Sequence, residues 1–365
     1  MTKKPLMFNF LQKLNYRDIL KNNTNPLDLL DKLNIGDVKK NRVSPQVLIL
    51  TKRMDIESDL IGIQLLRNGI EYIKINEEDI PLDFGAEFRV GRENSVLLKL
   101  RDKEIVTESI KVVLFRYFDL KFLKHLTGIH QIYVEQQWYQ LFNCLQASLR
   151  CLWINDPNNT FSSENRLHQL LVAQKNGFRI PDTSITNIPS SGIRFCNEYP
   201  TKTVAKVLHH HEIIYKEYSY RFPTSIITAD SLSNINGLRY APLILQKRIL
   251  SREEIRITVV DDKVFPIRIT ISKNKRKYYS DLHKIEERFL NFENLDIEKN
   301  IEKKCIKLNR ELGLLLSSID LMVDNKGELY FLEINPIGDW NWLEKHVDLS
   351  ITDSVSKLIL KSLER

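Results

Sequence analysis

The stretch SSIDLMVDNKGELYFLEINPIG, residues 317–338, admits few folds. Apolar Ile319 to Val323, a polar Asp324-Asn325-Lys326-Gly327 turn and Glu328 to Ile334 spell a β-hairpin. With Asp324 facing Gly327 across the turn, the register sets Asp320 opposite Phe331. Side chains alternate faces with period two, so Phe331, Glu333 and Asn335 share the face of Asp320. Asp320 and Glu333 are then diagonal neighbours, roughly 7–8 Å apart at the backbone and within reach of one ion. Asn335 adds a neutral oxygen at the strand end, and Pro336 stops the ladder. Two carboxylates and an amide form a hard, oxygen-only site, which suits Mg²⁺ carrying nucleotide phosphates better than zinc. A hairpin with one wet face would carry acidic residues too. Glu333, however, lies inside YFLEIN, where an acidic residue is disfavoured unless a ligand employs it.

The rest of the chain is of ordinary globular character. Its 365 residues suffice for two or three domains, and 42% hydrophobic with 28% charged residues is a usual soluble balance. No apolar run approaches the roughly 20 residues of a membrane span, and MTKKPLMFNF is not a signal peptide. Four cysteines without paired spacing fit a reduced, cytoplasmic setting; Cys144 and Cys151, seven apart on one expected helix, read as buried packing. The net charge of +7 is scattered apart from KNKRK at 273–277 and the tail KSLER, so it argues against a nucleic-acid partner. A positive field serves an anionic nucleotide or an acidic peptide equally well.

Residues 1–44 stand apart, with apolar residues at helical spacing over 7–14 followed by Asn-rich KNNTN. From Pro45 an α/β pattern begins: strands over 46–51 and 70–75, a helix from Glu57 to Asn68, hairpin strands near 86–91 and 95–101, and a central strand over 110–119. A long helix is expected from His130 to Trp153. No GxGxxG follows the first strand, so dinucleotide binding is unsupported. Asn165 to Pro181 reads as a helix with Leu167, Leu170 and Leu171 on one face, closed by Gly177. KTVAKVL (202–208) and LILQKRI (243–249) are strands, EIRITVVDDKVFP is a hairpin turning at Asp261-Asp262, and helices begin near Ile301 and Ser350.

Asp320, Glu333 and Asn335 in their LEINP context resemble the metal-binding hairpin of ATP-grasp ligases. The longer LEINPIGDWNWLE is similar to ATP-grasp enzymes that mature ribosomal peptides, the graspetide or microviridin-type ligases. The resemblance covers roughly residues 45–360. It implies an α+β chain: an N-terminal arm (1–44), an α/β pre-ATP-grasp domain (45–155), a central ATP-grasp subdomain (156–240) and a C-terminal one with the metal hairpin (241–365). It implies ATP and Mg²⁺ as cofactors and, as partner, a precursor peptide with a leader and an acidic core. A homodimer is the expected assembly. PLMFNFLQ in the arm is either a docking segment or similar to a precursor leader.

The same resemblance assigns roles. Arg166 stands where the family carries a phosphate-touching lysine, and a solvent-facing arginine is the alternative. Lys206, among valines in mid-strand, takes the α/β phosphates, and HHHEIIYKEYSYRF after it forms a flap; three adjacent histidines cannot all face one zinc. Gln246 and Lys247 precede the adenine hinge, where Ile249 offers backbone groups. Glu254 takes the ribose and Arg256 a phosphate or acyl phosphate, although a charged cross-strand pair explains those two residues as well. Arg268 is a candidate for the substrate carboxylate, and Arg116 matches an arginine of the preceding domain. An Asp-Trp-Arg motif of the peptide ligases is replaced by Asp281-Leu282-His283. The implied reaction joins a carboxylate, through an acyl phosphate, to a hydroxyl or amine, closing side-chain rings in a precursor peptide. A ligase adding amino acids to a peptide or protein tail and a non-catalytic peptide-binding protein remain the alternatives.

Overall fold

The computed structural model describes residues 42–80, 83–118, 128–209, 212–215, 218–233, 236–271 and 286–364. The expected helix over 7–14, the KNKRK run, His210, His211 and Asp281-Leu282-His283 lie outside the described residues. The chain divides into two compact units. Of the described residues, one holds those up to Asn159, Gly313–Leu316 and those from Asp339 on; the other holds those between Thr160 and Leu312 and Ser317–Gly338.

In the first unit four parallel strands stand in the order Tyr72–Asn76, Val47–Thr51, Val112–Phe115, Leu152–Ile154. All five residues of Val47–Thr51 are buried, as the interior strand of a parallel sheet requires. A smaller sheet joins Phe84–Arg89, Ser95–Leu100 and Lys103–Ile105, and Arg42–Val43 at the end of the expected arm runs parallel to the last of these. The expected helix from His130 to Trp153 is shorter: it spans Gly128–Ser148, and Leu152–Ile154 is a strand. The Trp153 ring is the reason, since it packs edge-on against Phe115 and Phe142 at 6.4 Å in the buried core. Cys151 therefore leaves the helix and is half-buried, and Cys144 is exposed rather than packed inside. All four cysteines are free.

The chain's last segment belongs here because of Trp340. Its ring is buried under the Arg116 guanidinium, 4.6 Å away, and its Nε1–H donates to Thr352 Oγ1 at 3.0 Å. Arg116, 1% exposed, donates to Asp55 (3.0 Å) and Asp339 (3.3 Å), and Glu57 accepts the N–H groups of Trp340 and Asn341 at 3.1 Å. Burial pushes the Asp55 carboxyl up, but Arg116 and hydrogen bonds from Thr51 and Arg116 outweigh it and leave it below its ordinary range. Glu57 is raised, by burial above all. A buried charge network of this kind is costly to break, because a removed partner leaves an uncompensated ion.

The second unit contains two larger sheets. Antiparallel strands Ser225–Ile227, Thr203–Lys206, Leu243–Lys247 and Thr183–Thr186 form one. The other, in spatial order, is Leu290–Asn294, Lys263–Ile271, Ser251–Val260, Leu316–Asp324, Leu329–Asn335. The Asp261-Asp262 turn is as expected: Val260 pairs with Lys263, and Asp261 takes the left-handed φ of +55° that a tight hairpin needs. A two-stranded hairpin, Glu212–Tyr215 with Tyr218–Arg221, occupies the expected flap and exposes the rings of Tyr218 and Tyr220.

The carboxylate hairpin departs from the expected register. Its turn is one residue longer: Val323 pairs with Leu329, Asp324 N–H donates to Glu328 O, and Gly327 takes φ +86°. Leu321 therefore pairs with Phe331, whose buried ring faces Phe178, so Phe331 lies on the face away from Asp320. A bulge at Leu332 then shifts the register again and sets Asp320 directly across from Glu333.

Candidate active site

Four oxygens converge where the two hairpin strands pair. Arg256 Nη1 donates to both oxygens of Asp320, at 3.0 and 3.2 Å. Asn335 Nδ2 donates to Asp320 Oδ2 at 3.0 Å and to Glu333 Oε1 at 3.2 Å. Arg166 Nη1 lies 3.0 Å from Glu333 Oε2. Each of the four charged side chains is mostly buried, between 11% and 19% exposed. Two guanidinium charges thus balance two carboxylates, with a neutral amide between them. Arg256 reaches this place from the adjacent strand, and Gly338 leaves room beside it: a Cβ there would collide with the Ser318 hydroxyl and lie 3.3 Å from Arg256 Nη2.

The donor set fits a hard divalent cation. Its oxygens come from carboxylates and an amide, with no thiolate or imidazole, and two carboxylates leave coordination positions for phosphate oxygens. Among the described residues no group of three or more His, Cys, Asp or Glu is placed to hold a metal.

The remaining sequence-derived candidates fall into two sets. Lys206 pairs with Ile244 and Val204 with Gln246, so Lys206 and Gln246 share one face of the smaller sheet, opposite the apolar face of Ala205 and Leu245. Gln246 is buried and donates to Thr183 Oγ1. Glu254 shares the face of Arg256, and Ile249 lies in the link before Ser251. Lys247 sits on the other face, paired with Asp182 at 3.2 Å and over the Tyr199 ring. Arg268 is also turned away. It stands opposite Ile255, one residue out of step with Arg256, and pairs with Glu253 (3.0 Å) and Glu293 (3.6 Å). Arg166 does not project to solvent; it holds Glu333.

Sequence reasoning missed Gln169. Leu167 and Leu171, expected to face inward, are 52% and 54% exposed, whereas Gln169 is 1% exposed and its amide grips the backbone of Ile334 between Glu333 and Asn335. The available signal was spacing, since Gln169 lies three residues after Arg166 on the same helix face.

A family model described as a RimK-like ATP-grasp domain matches residues 163–359, more than half of the chain. The chain belongs to this family. It is an ATP-grasp ligase, and enzymes of the RimK-like ATP-grasp family use ATP and Mg²⁺. The RimK-like region contains every residue of the carboxylate cluster. Among curated proteins the chain is 20% identical over 313 residues to the tetrahydromethanopterin:alpha-L-glutamate ligase of Methanocaldococcus jannaschii, covering 84% of this chain and 96% of that one. Among solved structures it is similar to the macrocyclase MdnC of Microcystis aeruginosa MRC, bound with precursor peptide MdnA: TM-score 0.77, 24% identity, 87% of this chain and 99% of that chain. It is also similar to a RiPP-associated ATP-grasp ligase of Chryseobacterium gregarium in complex with ADP and a leader and core peptide: TM-score 0.75, 24% identity, 88% and 97% covered. These likenesses in fold extend into the residues before 163, which the RimK-like match leaves out.

Proposed function

We propose that this ligase closes side-chain rings in a ribosomally made precursor peptide, joining Asp or Glu carboxyls to Ser/Thr hydroxyls or Lys amines. One observation carries the ligase chemistry: two facing carboxylates and an amide on one sheet surface, each carboxylate held by its own arginine. Asp320, Glu333 and Asn335 would hold Mg²⁺, which when bound supplies positive charge for the phosphate oxygens of ATP. Arg166 and Arg256 would exchange their carboxylate partners for phosphate oxygens, bringing charge to where it develops during phosphoryl transfer. Lys206 would take the α/β phosphates. Gln246 and the link through Lys247 to Ile249 would border the adenine, and Glu254 would accept the ribose hydroxyls. Arg268 lies apart from this set and is left out of it. A substrate carboxylate would attack the γ-phosphate of ATP, releasing ADP and giving an acyl phosphate; a hydroxyl or amine would then attack its carbonyl carbon, expelling phosphate and losing a proton, to leave an ester or amide.

A peptide substrate is supported by how far the two peptide-bound likenesses reach, well beyond the RimK-like region and into the parallel-sheet unit. The partner we expect is a leader-bearing peptide with an acidic core, and the assembly a homodimer, which light scattering would read. Mass spectrometry of a precursor from an adjacent reading frame, incubated with the enzyme, Mg²⁺ and ATP, tests the proposal. Loss of one water per ring supports it. Addition of an amino-acid mass would make the protein an amino-acid ligase, and an unchanged peptide with no phosphate release would make it a binding protein.

A further inference from the structure

The metal-side end of the hairpin is an edge strand, and an edge strand exposes backbone groups that need partners. At Phe331 the partner is ordinary backbone: its N–H donates to Arg179 O at 2.8 Å. At Ile334 it is one side chain. Gln169 Oε1 accepts the Ile334 N–H at 3.2 Å, and Gln169 Nε2 donates to Ile334 O at 2.8 Å. The amide thus supplies the donor and acceptor that a further strand would have supplied. Its other N–H goes to Ser163 O at 2.6 Å, and its oxygen also accepts from Arg166 Nη1 at 3.4 Å. Two donors and two lone pairs are all engaged, so the group is saturated.

Its location gives this saturation a consequence. Ile334 lies between Glu333 and Asn335, and its backbone dihedrals fix the relative directions of those two side chains. The strand has just passed the Leu332 bulge and ends at Pro336; Glu333, Ile334 and Asn335 pair with Asp320, Ile319 and Ser318 on the inner side, and on the outer side Gln169 is what holds Ile334. From these contacts we infer that Gln169 is a positioning residue for the cation: it sets the spread between Glu333 and Asn335 without touching the ion. A hydrocarbon of the same size would fill the space but leave Ile334 N–H, Ile334 O and Ser163 O buried without partners. The strand end would then relax toward other donors.

This inference rests on the proposed cation site, and its test separates the two. The probe is Mn²⁺, titrated by electron paramagnetic resonance in the presence of ADP. Asp320→Asn reports on the site itself; Gln169→Leu reports on positioning; Leu170→Ala, a buried neighbour on the same helix, reports on general loosening. The expected result is a rise of about tenfold or more in the Mn²⁺ dissociation constant for Gln169→Leu. ADP affinity without metal should stay within about twofold, and hydrogen exchange should be faster in the peptide covering Leu329–Asn335. Leu170→Ala should lower the melting temperature while leaving Mn²⁺ affinity within about twofold. An unchanged Mn²⁺ constant in Gln169→Leu, with Asp320→Asn impaired, overturns the role of Gln169 and leaves the site standing. An unimpaired Asp320→Asn overturns both. Equal weakening by Leu170→Ala reduces Gln169 to a packing residue and overturns the inference. If Gln169→Leu does not fold, Gln169→Glu, which keeps the length and loses the donors, is judged by the same criterion; failure of both to fold makes Gln169 a folding residue and also overturns it.

Discussion

Asp320 stands directly across the hairpin from Glu333, although the turn alone would set it against Leu332. The long turn moves the pairing by one residue, which would place Glu333 on the wrong face, and the bulge moves it back. The two carboxylates owe their meeting to that double shift. Replacing Asp320 by Asn or Glu333 by Gln should cut ATP turnover by at least about a hundredfold, since each removes an anionic ligand. Circular dichroism should show the fold retained. Turnover near wild type in either variant would remove the cation from this surface.

Lys206 and Arg268 make opposite predictions. Lys206→Ala should weaken nucleotide binding by on the order of 1–3 kcal/mol, the scale of a lost charge-assisted bond. Arg268→Gln should leave it within about twofold, because Arg268 lies behind the sheet with Glu253 and Glu293. Calorimetric titration of ADP into both variants decides; a larger loss in Arg268→Gln would reverse the assignment of faces.

Gly338→Ala is expected to disable the site by steric means. The added methyl would sit 2.5 Å from Ser318 Cβ and close to Arg256 Nη2, so either the backbone or Arg256 must shift. Loss of turnover should accompany a lowered melting temperature. Ser318→Gly in the same chain should restore part of both, and a double variant no better than the single one would show that the clash is elsewhere.

Stability contributed by the buried acids should fall as pH rises from about 4.5 to about 7. Burial pushes Glu344 up to about 7 from 4.5, against opposing hydrogen bonds from Thr352. Below 4.5 both folded and unfolded chains hold the proton and no penalty exists. Between 4.5 and about 7 the unfolded chain ionises first, so stability is lost, on the order of 3 kcal/mol when complete. Asp59, pushed up to about 6 by burial against Lys74, acts in the same direction. Urea unfolding of Glu344→Gln beside the unaltered protein measures the effect: the variant should lose less stability over this window, and parallel curves would rule the residue out.

Much of this was legible in the residues. The hairpin with Asp320, Glu333 and Asn335, the strands around Lys206 and Gln246, and the Asp261-Asp262 turn all follow from alternation and turn chemistry. What was not legible depended on partners distant in sequence. Trp153 leaves its helix for a ring cluster with Phe115 and Phe142. Gln169 displaces two leucines from the inner face because Ile334 needs a donor and an acceptor. The bulge at Leu332 has no local signature, so counting from the turn alone missed the direct pairing of the two acids.

The arginines that grip Asp320 and Glu333 also bear on how the protein rests. Bare acids crowded on one surface would repel, and many metalloproteins unravel when a chelator strips the ion that separates them. Here the counter-charges are built into the chain, on a helix and on a neighbouring strand. Treatment with EDTA should therefore leave the melting curve of the nucleotide-free protein in place, the ion serving turnover and not architecture.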